Sequence, residues 1–364
     1  MNRLPNEIMK FSDETRRNSY AQIKEYFECY KNGKSANSKG VSFADMDKAV
    51  LEFFTKEIEN MSGRKINPEM DLKQYCMFTD VKESAFAIVS IMTDLVLADT
   101  LYKDLGTIAE IKNGAWGDSL KVDMKPRDLF VVAKGGRARR TYDLVRQYKG
   151  EKTIVPEVHA ISVDIALYDV LKGTYSLAEF MSKVVLSVET QMRYDIYDAF
   201  AAAMDNLPAT AGAGQLKVTG FSQDSAIALA QKVEAWNGGK KAIFLGTKLA
   251  LSKILPASTN TRILLGDEYV KVGYLRDFFG VPCVELEQIA DYTTEFAVKL
   301  ADDKIYVLSP GTDKVVKVFV EGSTLSNIDG NYDNANLLQT ATLYKSYGVG
   351  VATTALVGEI DLAE

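Results

Sequence analysis

One long amphipathic helix limits what this chain can fold into more than any other segment. From Ser176 to Pro208, apolar side chains recur every three or four residues, the spacing of one face of an α-helix. The recurring residues are Leu177, Met181, Val184, Val188, Met192, Ile196, Ala199 and Ala203. Ser176 and Glu179 have the spacing of a capping box, in which a hydroxyl and a carboxylate satisfy free amides of the first turn. About 28 residues span ~42 Å, which is more than one compact domain requires.

Composition and charge exclude several classes of protein. The chain has 364 residues, and 47% are hydrophobic, which is enough for one large core or two modest ones. Its net charge of −6 argues against a surface that wraps nucleic acid over its whole extent. Cys29, Cys76 and Cys283 lack any paired spacing, so neither a disulfide framework nor a zinc site is indicated. A reducing cytoplasm fits this cysteine usage best.

The sequence also argues against export and against a membrane span. Residues 2–7 are polar, which predicts a chain without a secretion signal. The most apolar run, from Ala85 to Leu101, carries Asp94 and Asp99, each of which costs ~2.5–3.5 kcal/mol at a bilayer centre. We therefore interpret this run as a buried helix.

The first third of the chain is predicted to be mainly helical, over residues 12–104. Tyr20, Phe27 and Tyr30 recur at helical spacing and predict a face that packs in a core, while a partner-binding surface is the alternative. Residues 32–40 are polar or glycine and have no periodicity, so we expect flexible contact arms here.

Extended structure is predicted next, over residues 106–156. Residues 119–125 alternate strictly between polar and apolar side chains, which is typical of a strand with one buried face. Residues 106–155 contain 11 Lys and Arg and 6 acidic residues, so this segment has a charge of +5 and the remainder −11. A free-standing ribbon of two strands is marginal in water because it has no core. The pattern therefore implies a partner surface.

The basic cluster from Lys134 to Arg140 leaves three interpretations open. It contains Arg137, Arg139 and Arg140 beside two glycines, a composition that binds phosphate in other proteins. A solvated basic turn is the simplest interpretation, and salt bridges to another subunit are the second. Nucleic-acid binding is the third, but no aromatic residue interleaves with these arginines to stack on bases.

No catalytic, cofactor or metal site is predicted. His159 is the only histidine, and the alternating residues around it predict a strand residue instead of a general base. Residues 329–336 carry oxygen ligands at alternate positions, but Asn334 and Thr340 stand where a calcium loop needs glycine and glutamate, so a polar loop is favoured over calcium. No phosphate-binding glycine motif has the required context.

The last third of the chain carries a resemblance to a known family. A short strand ends at Gly246, a helix follows, Gly280-Val-Pro precedes an apolar strand from Val281 to Leu286, and further strands follow at Ile305–Leu308 and from Tyr347. This order resembles the major capsid (coat) protein of tailed phages, with the Hong Kong phage-type fold that encapsulins and the herpesvirus capsid floor share. The resemblance covers roughly residues 100–364 and lies in the order of elements more than in any motif.

The resemblance implies an α+β fold and a domain plan. An N-terminal arm and helical region would occupy residues 1–105, an extended E-loop residues 106–156, and a P-domain residues 157–220 with its spine helix at about 176–206. An A-domain would occupy residues 221–295, and P-domain return strands with a C-terminal strand residues 296–364.

A structural function follows from the same resemblance. The chain would not be an enzyme and would assemble with itself into hexamers and pentamers of an icosahedral shell around double-stranded DNA, in a virion built in the host bacterial cytoplasm. Scaffold, portal and decoration proteins are possible further partners; DNA would be contacted only non-specifically, and no membrane is expected. Two alternatives are an encapsulin-like compartment with protein cargo and a soluble α+β enzyme or ligand-binding protein whose site is not recognisable.

Contacts between subunits are the only site residues that the resemblance implies. The candidates are Lys121, Lys125, Lys134, Arg137, Arg139 and Arg140, which would meet carboxylates of a neighbour. Some family members crosslink a lysine to an asparagine, and Lys121, Lys125 or Lys134 would be paired with Asn334 or Asn336. Nothing in the local sequence singles out one pair, so crosslinking is not predicted.

Overall fold

A computed structural model gives the fold. It describes residues 14–37, 39–65, 72–91, 108–124, 149–165, 167–210, 212, 214–257, 266–292, 294–328 and 339–362.

Nine helices lie between residues 14 and 272 in the part of the chain that the structure describes. They are α1 (Glu14–Lys31), α2 (Phe43–Ser62), α3 (Leu72–Met77), α4 (residues 79–91), α5 (Leu167–Leu171), α6 (Leu177–Asp205), α7 (Gln223–Trp236), α8 (Lys248–Ser252) and α9 (Gly266–Val272).

Strands begin at Ala109 and are most frequent in the last third of the chain. They are β1 (Ala109–Gly114), β2 (Leu120–Met124), β3 (Gly150–Ile154), β4 (Glu157–Ile165), β5 (Lys217–Thr219), β6 (Ile243–Gly246), β7 (Asp277–Phe278), β8 (Val281–Glu285), β9 (Ala290–Asp291), β10 (Ala297–Val298), β11 (Lys304–Leu308), β12 (Val316–Ile328), β13 (Gln339–Val351) and β14 (Gly358–Asp361). The fold is α+β, as predicted.

The long helix predicted from the sequence is α6, and its bounds are confirmed. Ser176 is its N-cap, and the Ser176 hydroxyl accepts a hydrogen bond from the Glu179 backbone amide at 3.0 Å. The Glu179 carboxylate contacts Lys183 instead, at 2.8 Å. Ser176 also donates to Asp47 of α2 at 2.5 Å, so the cap joins two helices.

A four-stranded sheet lies against α6, with the strand order β1-β12-β13-β4. β1 pairs with β12 in parallel, and the other neighbours are antiparallel. Glu110 stands opposite Lys317 in the β1–β12 register, and the buried Lys317 ammonium contacts the Glu110 carboxylate and, at 2.5 Å, that of Asp313. This charged contact satisfies a lysine that burial would otherwise destabilise.

A six-stranded sheet, in the order β5-β14-β11-β6-β8-β7, is covered on both faces. Ile243 and Leu245 of β6 face a large core that contains α6, whereas Phe244 between them faces a second core that contains α7. Strands covered on both faces have apolar residues at every position. All four residues of β6 are accordingly buried.

The N-terminal helices pack on the body of the chain, which differs from the flexible arms expected for residues 32–40. Tyr26 and Phe27 of α1 are buried in the same core as Met192 and Ile196 of α6. Residues 32–37 and 39–42 form a compact turn in which the Asn37 side chain accepts a hydrogen bond from the Val41 amide at 2.9 Å. The burial of Phe27 confirms the core interpretation for that member of the aromatic stripe.

The extended region also differs from the prediction at its beginning. Residues 109–114 were placed in the projecting E-loop, but they form β1 inside the four-stranded sheet. In the described part of this region, β2 and β3 form a two-stranded ribbon, in which Leu120 pairs with Ile154 and Met124 with Gly150. Sequence alternation is the same for a free ribbon and for a sheet edge, so it did not distinguish them.

Truncation of the α6 core face should destabilise the whole chain. Ile196 is fully buried, and Ile196→Ala leaves a cavity, so we expect the free energy of unfolding to fall by about 2–5 kcal/mol. Leu249→Ala on the exposed side of α8 is the control and should change it by less than about 0.5 kcal/mol. Urea unfolding followed by circular dichroism measures both. Equal effects would contradict the packing of α6.

Candidate functional site

Chemistry-bearing side chains do not converge in the part of the chain that the structure describes. No group of three or more His, Cys, Asp or Glu side chains in this part is placed to hold a metal ion. None of its helices is both long and apolar enough to cross a membrane. Residues 329–336, the possible calcium loop, lie outside the described ranges.

His159 lies on β4, as the alternation predicts. Its ring stacks on the Tyr347 ring with centroids 3.9 Å apart, and the Tyr347 hydroxyl donates to the Asp195 carboxylate at 2.5 Å. Burial, followed by the Asp195 carboxylate, raises the pKa of Tyr347 above its ordinary value. Tyr347 therefore stays protonated near neutral pH, and the stack joins the sheet to α6.

An open cavity of about 540 Å³ adjoins this stack, between α6 and the β4–β13 side of the four-stranded sheet. Val184 and Val188 of α6 form one wall, so these valines face the sheet. Ile161 and Leu343 line the opposite wall, with Lys345 among the polar groups. The lining is mainly apolar, and no acid–base pair points into it from the described residues.

The β2–β3 ribbon is the described part of the predicted contact region. Its buried side chains are Val122 and Ile154, which pack with Phe319 of β12 and Ala352 after β13. Lys121 is largely exposed, and its ammonium lies 3.5 Å from the Glu151 carboxylate within the ribbon. The other predicted contact residues, Lys125, Lys134, Arg137, Arg139 and Arg140, lie outside the described ranges, so their roles stay predictions.

A charged cluster joins the end of α6 to the six-stranded sheet. Lys217 of β5 lies 3.2 Å from Asp205 and 3.0 Å from Glu359, which is fully buried on β14. Lys304 of β11 lies 2.5 Å from Asp205. Hydrogen bonds from Lys304 and then Lys217 lower the pKa of Asp205, against the opposing effect of burial. Neutralisation of Asp205 would remove one charged partner from both ammonium groups and leave them Glu359, which lies 3.0 Å from Lys217 and 3.7 Å from Lys304.

A second buried charge fixes the N-terminal helices to α6. The Glu189 carboxylate is almost fully buried and accepts hydrogen bonds from Lys31 of α1 at 2.7 Å and from Arg193 at 2.6 Å. Sequence spacing indicates the Glu189–Arg193 pair, four residues apart on one helix. The contact with Lys31 joins residues 158 positions apart and has no local signal.

A short hairpin with exposed aromatic side chains was missed from the sequence. β9 and β10 pair antiparallel, and residues 292–296 join them. Tyr194 of α6 anchors the hairpin, because its hydroxyl donates to the Ala290 carbonyl and accepts from the Tyr292 amide at 3.3 Å. Tyr292 and Phe296 are 82% and 96% exposed. Two-residue strands have too little periodicity for a prediction.

Comparisons with known proteins give likeness only at the level of solved structures. No protein-family model matches the chain, and no curated protein matches it. A chain of the capsid of a native GTA particle is 15% identical over 72% of this chain and 90% of its own, with a TM-score of 0.45. A chain of the mature capsid of bacteriophage PhiM1 is 12% identical over 71% of this chain and 87% of its own, with a TM-score of 0.47.

An encapsulin is also similar to this chain. The holo-SrpI encapsulin complex from Synechococcus elongatus PCC 7942 is 12% identical over 70% of this chain and 85% of its own, with a TM-score of 0.40. Phage capsids and encapsulins are two of the three classes that the sequence resemblance names, and the herpesvirus capsid floor is the third.

The charged cluster at Asp205 predicts a specific dependence on pH. Because the pKa of Asp205 is lowered in the folded chain, its contribution is present above its unfolded pKa of about 3.9 and is lost as the pH falls through the lower folded value. We expect Asp205→Asn to destabilise the chain at pH 7 and pH 5, with a smaller difference from the wild type at pH 3.

Urea unfolding at the three pH values measures this difference. Asp198→Asn is the control. Asp198 lies on the same helix as Asp205 and forms an exposed ion pair with Lys299, so its neutralisation should lower the free energy of unfolding by less than about 1 kcal/mol. A difference for Asp205→Asn that stays constant down to pH 3 would contradict the ionised contact.

Proposed function

We propose that this chain is the structural subunit of a protein shell, a major capsid protein of the tailed-phage type. In this proposal copies assemble into hexamers and pentamers of an icosahedral shell that encloses double-stranded DNA, and the chain has no enzymatic activity. The observation that carries the proposal is the β2–β3 ribbon, which has almost no core of its own. The order of elements in the sequence supports the same proposal.

The ribbon is short of internal stabilisation. Of the five residues in each strand, β2 buries only Val122 and β3 only Ile154. A two-stranded ribbon needs a third strand or a packed surface for independent stability. The contact with Phe319 and Ala352 holds its base, and its remaining side chains are exposed or half-buried. A surface of another copy supplies the missing contact in a shell.

The body of the chain has the rigidity that a shell subunit needs. α6 has 29 residues and runs for about 43 Å. Its buried face packs on the four-stranded sheet, and Phe200 near its end packs edge-to-face on Tyr306 of the six-stranded sheet, with ring centroids 4.7 Å apart. The charged contacts of Asp205 add a second connection at the same end. One helix therefore fixes both sheets.

The arrangement of polar groups supports a structural function over catalysis. An enzyme needs a nucleophile, a base or a metal within reach of a bound substrate. Near the cavity beside α6, His159 is stacked on Tyr347, and the Tyr347 hydroxyl is committed to Asp195. The polar groups of the described walls stabilise the packing of the sheet on the helix.

The size of the purified chain tests the proposal directly. A chain of 40.2 kDa that forms capsomers or shells elutes far above its own mass, and negative-stain images contain rings or closed particles. A species no larger than a dimer over a wide concentration range would contradict the proposal and favour the soluble enzyme or binding protein. Shells that form with protein cargo and without DNA in the host bacterial cytoplasm would favour the encapsulin-like alternative over a virion.

Shortening the connection between β2 and β3 should separate folding from assembly. Replacing residues 125–149 with a short Gly-Ser turn keeps Val122 and Ile154, which hold the base of the ribbon. We expect a folded subunit with a normal thermal midpoint and no closed shells in negative stain. A variant that unfolds would show instead that residues 125–149 belong to the core of the subunit.

The charge of the extended segment predicts a dependence on salt. Residues 106–155 have a charge of +5 and the rest of the chain −11, so assembly should weaken near 1 M salt, where the Debye length falls to ~3 Å. Arg137→Glu with Arg139→Glu should weaken it at low salt. Light scattering of the assembly reaction measures both, and a yield indifferent to both changes would leave apolar contacts as the main driving force.

Other partners follow from the same proposal. Scaffold, portal and decoration proteins are the partners expected in a virion, and packaged DNA would touch the chain without sequence preference. The acidic balance of −6 suits such weak contact, because specific or extensive DNA binding requires clustered basic residues.

A further inference from the structure

The cavity of about 540 Å³ beside α6 has an apolar end and a polar end. α6 packs mainly on the two inner strands β12 and β13, which leaves the cavity under the edge strand β4. In the β4–β13 register, Ile161 stands opposite Leu343, and His159 stands opposite Lys345. Directly opposite residues of an antiparallel pair share one face of the sheet. The sheet wall of the cavity therefore changes from apolar to polar between these two pairs.

The α6 wall has the same change in polarity along its length. Val184 and Val188 come first, and Gln191 follows toward the C-terminal end of the helix. The Gln191 amide donates to the Asp195 carboxylate at 3.0 Å, and Asp195 also accepts from the Tyr347 hydroxyl at 2.5 Å. Tyr347 belongs to the polar part of the sheet wall. The polar parts of both walls therefore lie at the same end of the cavity.

The charge at the polar end has one sign. Of the described residues that line the cavity, Lys345 is the one lysine or arginine, and none is an aspartate or a glutamate. Lys345 is 7% exposed, and its ammonium lies 3.3 Å from the Gly322 carbonyl. Glu157, opposite Tyr347 in the register, is exposed and lies outside the lining. A buried ammonium that borders an apolar cavity favours an anionic group there.

We infer that this cavity binds an alkyl chain with a carboxylate head group, the chemistry of a fatty acid. The alkyl chain lies between Val184 and Ile161, and the carboxylate accepts hydrogen bonds from the Lys345 ammonium and the His159 imidazole. One lysine suits a monoanion, whereas a phosphate monoester carries a charge of about −1.5 to −2. The cavity volume of about 540 Å³ lies within the range of ~300–1,000 Å³ that is usual for small-molecule sites. The inference goes beyond the proposed function and does not depend on assembly.

Titration calorimetry with probes of equal chain length tests the class of ligand. The purified, unassembled chain is titrated with decanoate, decyltrimethylammonium, decanol and decyl phosphate, each below the concentration at which it forms micelles. We expect decanoate to bind at least about tenfold more tightly than the other three probes, because it alone is a monoanion with a carboxylate head. Equal binding of the cationic or the neutral probe, or no binding of decanoate, would overturn the inference. Tighter binding of decyl phosphate would overturn the assignment of a carboxylate.

Two substitutions test where decanoate binds. Lys345→Met keeps a long side chain and removes the ammonium, so the Kd for decanoate should rise at least about tenfold. Ser187→Trp places an indole in the cavity from an exposed position of α6, so it should block binding while the thermal midpoint stays within about 3 °C of the wild type. Lys183→Met is the matched control and should leave the Kd unchanged, because Lys183 is exposed on the same helix and does not line the cavity.

Thermal unfolding with and without decanoate gives a second measurement. A ligand that binds only the folded chain stabilises it, so decanoate should raise the thermal midpoint of the wild type and of Lys183→Met. It should not raise that of Ser187→Trp. An equal rise in Ser187→Trp, or an unchanged Kd in Lys345→Met, would overturn the inference. Neither measurement involves shell formation, so a chain that never assembles would contradict the proposed function and leave this result unaffected.

Discussion

Burial of one face of α6 is the interaction on which the rest of the structure depends. Met192 and Ile196 are fully buried in a core that also receives α1, α2 and both large sheets. Helix burial of this kind contributes about 1.5–3 kcal/mol for each large apolar side chain. The contact of Glu189 with Lys31 holds α1 against the helix, and the contact of Asp205 with Lys304 holds the six-stranded sheet at its end. The two sheets therefore move with α6 as one body.

Two elements on the surface of this body differ in how firmly they are held. The β2–β3 ribbon has little core and balanced charges, whereas the β9–β10 hairpin has exposed aromatic side chains and is anchored on Tyr194. The ribbon can adjust to a partner surface, whereas the backbone of the hairpin is fixed on α6. Such a division suits a chain that repeats the same contact many times, because each contact can be weak while the assembly is stable.

Local signals in the sequence predicted the elements, but not all of their partners. The capping serine and the periodicity predicted α6 within one or two residues, and short apolar runs predicted β6, β8 and β11. Pairing of β1 with β12 joins residues more than 200 positions apart, so alternation alone placed β1 in the ribbon. The contact between Lys31 and Glu189 also joins residues far apart in the sequence. Through it, α1 packs on the body of the chain where flexible arms were expected. The backbone of Phe296 was unpredictable because nothing in its neighbours requires a left-handed residue.

Hydrogen–deuterium exchange on unassembled and assembled chain tests most directly whether this body is a shell subunit. The account predicts that α6 amides are protected in both states, because they are buried within the subunit. Amides of residues 120–124 and 149–154 should gain protection on assembly. Equal exchange of these segments in both states would contradict the claim that the ribbon is a contact between copies.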